Sequence, residues 1–127
     1  MSEHDEQVAL FKWAAEHQEE HPELGLMFAI PNGGKRHPGV GKKLKAEGLK
    51  AGVPDIFLPV PNAVQHGLFI EMKIGYSKPR KDQRKWLSDL WLQGYGVAVC
   101  YGAEHAKAVI ADYLQGVGIR QQEVSVK

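Results

Sequence analysis

Asp55, Glu71 and Lys73 are the residues whose types and spacing can do chemistry. They lie in two apolar runs, Val53-Pro54-Asp55-Ile56-Phe57-Leu58-Pro59-Val60 and Gly67-Leu68-Phe69-Ile70-Glu71-Met72-Lys73, joined by Pro, Asn, Gln, His and Gly. Two strand-length runs around turn residues predict a β-hairpin over 55–60 and 68–74. Alternation along a strand puts Glu71 and Lys73 on one face and Ile70, Met72 and Ile74 on the other. Unpaired charge is costly to bury, so such groups want a metal, a partner or a solvent-filled cleft. Asp55 with Glu71 makes a hard oxygen site suited to Mg²⁺. Lys73 beside them can hold a phosphate, a water or a developing negative charge.

The surrounding elements must position that hairpin. Residues 3–20 predict a helix, with Ser2 as N-cap, acids in the first turn and an apolar stripe of Val8, Leu10, Phe11, Ala14 and Ala15. Leu24 to Ile30 predicts a short strand, closed by the turn Pro31-Asn32-Gly33-Gly34. Asn32 serves either that turn or a nucleic-acid contact. Residues 40–47 predict a short basic helix. Gly39-Val40-Gly41-Lys42-Lys43, at its start, fails as a phosphate-binding P-loop, because Arg36 stands at the first glycine and Lys43 where Ser or Thr must reach the metal. A helix starts near Ser77 or Lys78, with Pro79 in its first turn and Gly94 as its stop. Gln83, Trp86, Leu87, Leu90 and Trp91 share its inward face, so Gln83 is either a core amide bonded to backbone or a group that orients Lys73 or a water. A buried strand over 95–101 and a closing helix over 103–115 follow. The tail, 118–127, is a short strand or arm. The order α-β-β-β-α-β-α predicts an α/β fold, a mixed sheet with helices on its faces.

At 127 residues the chain is expected to form one domain over 1–127, with its core in 3–114. The single cysteine, Cys100, lies in an apolar run and reads as a buried thiol. With no cysteine cluster a zinc-finger site is excluded. No apolar run reaches the roughly 18 residues that a membrane span requires. The acidic N-terminus lacks a secretory h-region, which predicts a cytoplasmic protein. Net charge is only +1, but it is unevenly spread. Residues 1–24 hold seven acids and one lysine, whereas 35–50 and 73–85 each hold six bases and one acid. Two basic segments bracketing the hairpin predict a positive surface around it. Lys35, Arg36, His37, Lys42 and Lys43 from the first, and Lys78, Arg80 and Lys81 from the second, are the expected phosphate contacts. These residues position a backbone and read no base sequence.

Pro54-Asp55, fifteen intervening residues and Glu71-Met72-Lys73 resemble the PD-(D/E)xK nuclease signature. Glu3 followed by Gln7 to Trp13, then Ile30 to Gly34, Lys50 to Asp55, Leu68 to Lys73 and Gln83 to Trp86 resemble, in that order, the VRR-NUC family over residues 3–114. The resemblance implies a restriction-endonuclease-like core and an Mg²⁺-dependent endodeoxyribonuclease, with Mn²⁺ as a substitute ion. It implies Asp55, Glu71, the Met72 carbonyl and an N-terminal glutamate as metal ligands. That glutamate is Glu3 rather than Glu6 by its spacing to Gln7, with helix capping as its structural alternative. Glu3, Asp55, Glu71, Lys73 and Gln83 form the implied catalytic set. Stand-alone relatives, of the kind phages carry, imply a homodimer acting on branched DNA such as the Holliday junction. Flaps or linear duplex ends are alternative substrates, and a DNA-binding module without turnover is a further alternative.

Overall fold

A computed structural model of the chain describes residues 1–31 and 38–121, with the side chains of 38–40 excepted. Helix α1 (Glu3–Glu16) opens it. Ser2 Oγ accepts the Asp5 N–H at 3.1 Å and Asp5 Oδ2 accepts the Ser2 N–H at 3.0 Å, a reciprocal capping box. The helix stops four residues before the expected end. Its last turn holds no base, and Glu16, Glu19 and Glu20 crowd the negative end of the helix dipole. The expected strand over 24–30 is mostly a 3₁₀ helix, Pro22–Leu26, leaving only β1 (Phe28–Ala29) extended. Pro22 fits a helical first turn. Leu24 and Met27, three apart, both turn into the core, a 3₁₀ spacing and not a strand spacing.

After α2 (Pro38–Ala46) come β2 (Ile56–Leu58), β3 (Leu68–Lys73), α3 (Lys81–Leu92), β4 (Gly96–Tyr101), α4 (Ala103–Leu114) and β5 (Arg120–Gln121). The hairpin is present, but β2 pairs over three residues only, and Asp55 lies just before its first. The sheet runs β1-β2-β3-β4-β5. β1–β2 and β2–β3 are antiparallel, while β3–β4 and β4–β5 are parallel. The fold is therefore mixed α/β, and β5 is the strand foreshadowed in the tail.

Alternation sorts the two sheet faces. Ile56, Leu58, Leu68, Ile70, Met72, Ala98 and Cys100 face α1 and α4 and join the main core with Leu10, Ala14, Val109, Ile110 and Tyr113. The buried Tyr113 hydroxyl donates to the Val60 carbonyl at 2.6 Å, so its polar tip is satisfied. Burial pushes the Cys100 thiol up to about 12, an inert packing group. The opposite face is covered by α3, through Leu87 on Val97 and Val99. Toward β1 it carries a row of aromatic rings: Phe28 edge-on to Phe57, Phe57 stacked on Phe69 at 4.2 Å, and Tyr95 against Phe69. Asp55, Glu71 and Lys73 fall on this second face, at the end where β3 and β4 stop. Among the described residues no helix is long and apolar enough to cross a membrane.

Candidate active site

Glu71 is the centre of the site. β3 carries it into the space between the sheet and α3, where it is 2 % exposed. Gln83, 5 % exposed, comes from the first turn of α3. Its Nε2 donates to Glu71 Oε2 at 3.0 Å, and its Oε1 accepts the Arg80 N–H at 2.8 Å. The inward glutamine thus has two partners: it closes the start of α3 and fixes the carboxylate. The expectation that it would orient Lys73 is corrected. Lys73 Nζ, in a side chain 7 % exposed, is ion-paired to the same Oε2 at 3.7 Å, too far to be a hydrogen bond. The start of α3 is corrected too. Its N-cap is Arg80, with buried Pro79 just outside the helix.

Asp55 is tied to the same strand. Its Oδ2 accepts the Met72 N–H at 2.8 Å, locking the aspartate against β3. The Met72 side chain itself lies in the core, so only its backbone can serve the site.

Glu71 Oε1 is buried and has no hydrogen-bond donor. Burial, then the facing Asp55 carboxylate, push the Glu71 carboxyl up to about 9; Glu3 adds to the rise and Lys73 opposes it. A crowded carboxylate with an orphaned oxygen has two physical resolutions: a proton shared with Asp55, or a cation between them. The donor set fits a hard divalent ion. Among the described residues no group of three His, Cys, Asp or Glu side chains stands at metal-holding distances. The carboxylates that could hold a cation together are Asp55 and Glu71; the Met72 carbonyl and Glu3 are the further oxygens that the sequence suggested, and Glu3 does not stand with the pair at metal-holding distance.

Glu3 and Glu6 part company in the structure. Glu6 Oε1 accepts the Ala103 N–H at 2.8 Å, capping α4. The preceding residue, Gly102, has φ +92°, which favours glycine, and a Cβ there would meet Glu6 Oε1 at 2.9 Å and push it off the cap. Glu3 is the N-terminal glutamate whose charge reaches Glu71. Glu6→Ala is expected to lower unfolding stability by about 1–2 kcal/mol in urea titrations. Glu3→Ala should stay within about 0.5 kcal/mol of the parent. Equal losses would contradict this division of labour.

Of the expected phosphate contacts, Lys42 and Lys43 are exposed on α2, and Lys78, Arg80 and Lys81 are exposed around the start of α3. Arg80 is paired with Asp82. The chain just past the first basic segment meets α3 through a contact that the sequence did not reveal. Trp86 Nε1 donates to the Ala51 carbonyl at 3.0 Å, and Gly52 packs on Asp82 and Trp86. The chain leaving α2 is thereby fastened to α3 beside the carboxylates. Asn32, Lys35, Arg36 and His37 lie outside the described residues.

No curated protein matches the chain. A solved structure described as a VRR_NUC domain protein is similar, with a TM-score of 0.79 and 23% sequence identity, covering 98% of this chain and 98% of that one. At that identity the likeness speaks for the fold, which the geometry above already displays. A family model, the VRR-NUC domain, matches residues 2–104, including Asp55, Glu71, Lys73 and Gln83. With most of its length inside that match, the chain belongs to the VRR-NUC family, a nuclease-type domain.

Proposed function

We propose that the protein is a divalent-metal-dependent DNA endonuclease that hydrolyses phosphodiester bonds, selects branched DNA such as a four-way junction, and works as a homodimer. The observation that carries the metal dependence is the buried Glu71 carboxylate, with Oε1 lacking a donor beside Asp55. Asp55, Glu71 and the Met72 carbonyl would hold Mg²⁺ or Mn²⁺, with Glu3 completing a second ion's shell or reaching the first through water. The ion would acidify a water and neutralise a non-bridging phosphate oxygen. Lys73, held at the edge of the carboxylate pair, orients the attacking water or stabilises charge building on phosphorus. Gln83 holds Oε2 of Glu71 and so fixes its rotamer, leaving Oε1 for the ion. Lys42, Lys43, Lys78, Arg80 and Lys81 seat the phosphate backbone.

Two strands cut symmetrically at a junction need two sites related by a two-fold axis, which a homodimer provides. The test uses a labelled four-way junction and a linear duplex of equal length, each with Mg²⁺, Mn²⁺ or EDTA. Paired nicks in the junction alone, absent in EDTA, are expected. Equal cutting of both would retain the nuclease and remove the junction selectivity. Tight binding without any metal-dependent product would identify a binding module. Sedimentation velocity reports the dimer.

A further inference from the structure

We propose that Tyr76 is a stacking platform for an unpaired nucleobase next to the scissile phosphate. This inference rests on the nuclease reading and adds to it a physical basis for discriminating among DNA structures. Tyr76 is 101% exposed, so its whole apolar ring is left in water, against its own preference. It is displayed by a pinned loop. The Ser77 N–H donates to the Ile74 carbonyl at 3.1 Å, closing a four-residue turn. Gly75 has φ +55°, and among the described residues no non-glycine residue has positive φ. Positive then negative φ is the sign pattern of a type II′ turn, which demands glycine first and sets the next residue, Tyr76, at the apex. Before the turn, the Gly102 N–H holds the Lys73 carbonyl at 3.1 Å. After it, Tyr101 Oη donates to the Ser77 carbonyl and Arg84 Nη1 to the Pro79 carbonyl, both at 2.7 Å.

Tyr76 is also close to the site along the chain. It is three residues past Lys73, at most about 11 Å along the chain, or roughly three base steps of a strand. Around it Lys78, Arg80 and Lys81 are exposed, and among the described residues neither Lys78 nor Lys81 has an acidic ion-pair partner. Cations that match phosphates beside an aromatic face that matches a base are the combination by which proteins hold unpaired strands. The ring's chain neighbours are Gly75 and Ser77, then Lys78, so an apolar protein partner or a lipid surface finds no patch here. A base stacked within a duplex cannot offer its face to Tyr76 without breaking that stack. A base at a flap, gap or junction centre can.

The experiment compares the parent, Tyr76→Phe and Tyr76→Ala. Fluorescence anisotropy in Ca²⁺ measures affinity for a linear duplex and for the same duplex bearing a single-stranded flap, and cleavage is followed in Mg²⁺. Tyr76→Ala should bind the flapped DNA at least about fivefold more weakly, with duplex affinity unchanged and Tyr76→Phe like the parent. Equal affinity of all three for the flapped DNA overturns the platform, as does an equal loss on both DNAs. If the platform fails while the parent still cuts DNA, the nuclease reading survives. Flap binding that depends on Tyr76 without any cleavage in Mg²⁺ keeps the platform and removes the nuclease. No binding of either DNA overturns both. An exposed position makes folding of the variants checkable by an unchanged melting temperature.

Discussion

Asp55→Asn is expected to lower the single-turnover rate of DNA cleavage in Mg²⁺ by about a thousandfold or more, with folding nearly intact. Asparagine is the informative replacement because its amide oxygen can still accept the Met72 N–H that Asp55 Oδ2 now accepts at 2.8 Å. The hairpin keeps that bond, and only the charge is lost. One fewer carboxylate leaves Glu71 as the single close anionic ligand, and weak capture of the ion withdraws both the acidified water and the charge cover on phosphate. Removal of one well-placed electrostatic contributor commonly lowers a rate by about 10²–10³-fold, and here ion binding is lost besides. Isothermal titration with Mg²⁺ should show the binding heat vanish in parallel with the rate. Asp55→Ala should add a fold defect of about 1–3 kcal/mol, because it also strips the Met72 N–H of its acceptor. A parent-like rate for Asp55→Asn would place the chemistry elsewhere.

The pair of carboxylates was legible because strand alternation is a local rule. Once the apolar runs are strands, Glu71 and Lys73 must share a face, and the turn residues bring Asp55 alongside. Gln83 was legible as an inward residue from helical spacing, but not its partner. Whether it meets Glu71 or Lys73 depends on how α3 docks on β3, and no local pattern encodes that docking. The same limit hid the role of Glu6, whose partner Ala103 is 97 residues away. Within the sequence, Glu3 and Glu6 are both first-turn acids on one helix. Tertiary contact separates them. The strand expected over 24–30 failed for a different reason. Its apolar residues fit a strand by composition, but Pro22 and the three-residue spacing of Leu24 and Met27 favour a 3₁₀ turn. β1 then needs only the two residues that pair with β2. Tyr76 shows the opposite failure. The exposure of a tyrosine after a glycine in a basic run cannot be read from composition.

Glu71→Gln is expected to stabilise the metal-free protein by about 1–3 kcal/mol near pH 8 while removing cleavage. Burial and the Asp55 charge push the Glu71 carboxyl up from 4.5 to about 9. In the unfolded chain the same group ionises near its ordinary value. Between the two, the folded protein holds a proton that the unfolded chain has released. Stability is therefore unaffected by this group below about pH 4.5, falls as pH rises toward about 9, and levels off above it. By pH 7 the accumulated loss is on the order of 3 kcal/mol, at about 1.4 kcal/mol per pH unit. Glutamine carries no charge at any of these values. Its amide oxygen can accept from Gln83 Nε2, and its NH₂ can donate toward Asp55. Urea unfolding in EDTA across pH 5 to 9 should show a falling parent curve and a flatter one for the variant, the two converging near pH 5. Added Mg²⁺ should raise the parent's stability at pH 8, since an ion that binds only the folded state stabilises it by mass action, and should leave the variant little changed. Parallel pH curves would mean that Glu71 holds no extra proton in the fold. A variant stabilised by Mg²⁺ as strongly as the parent would mean that the ion does not depend on this carboxylate. Flattening of the pH curve together with loss of the Mg²⁺ response would tie one oxygen pair to both effects: the group that weakens the empty fold is the group that the cation requires.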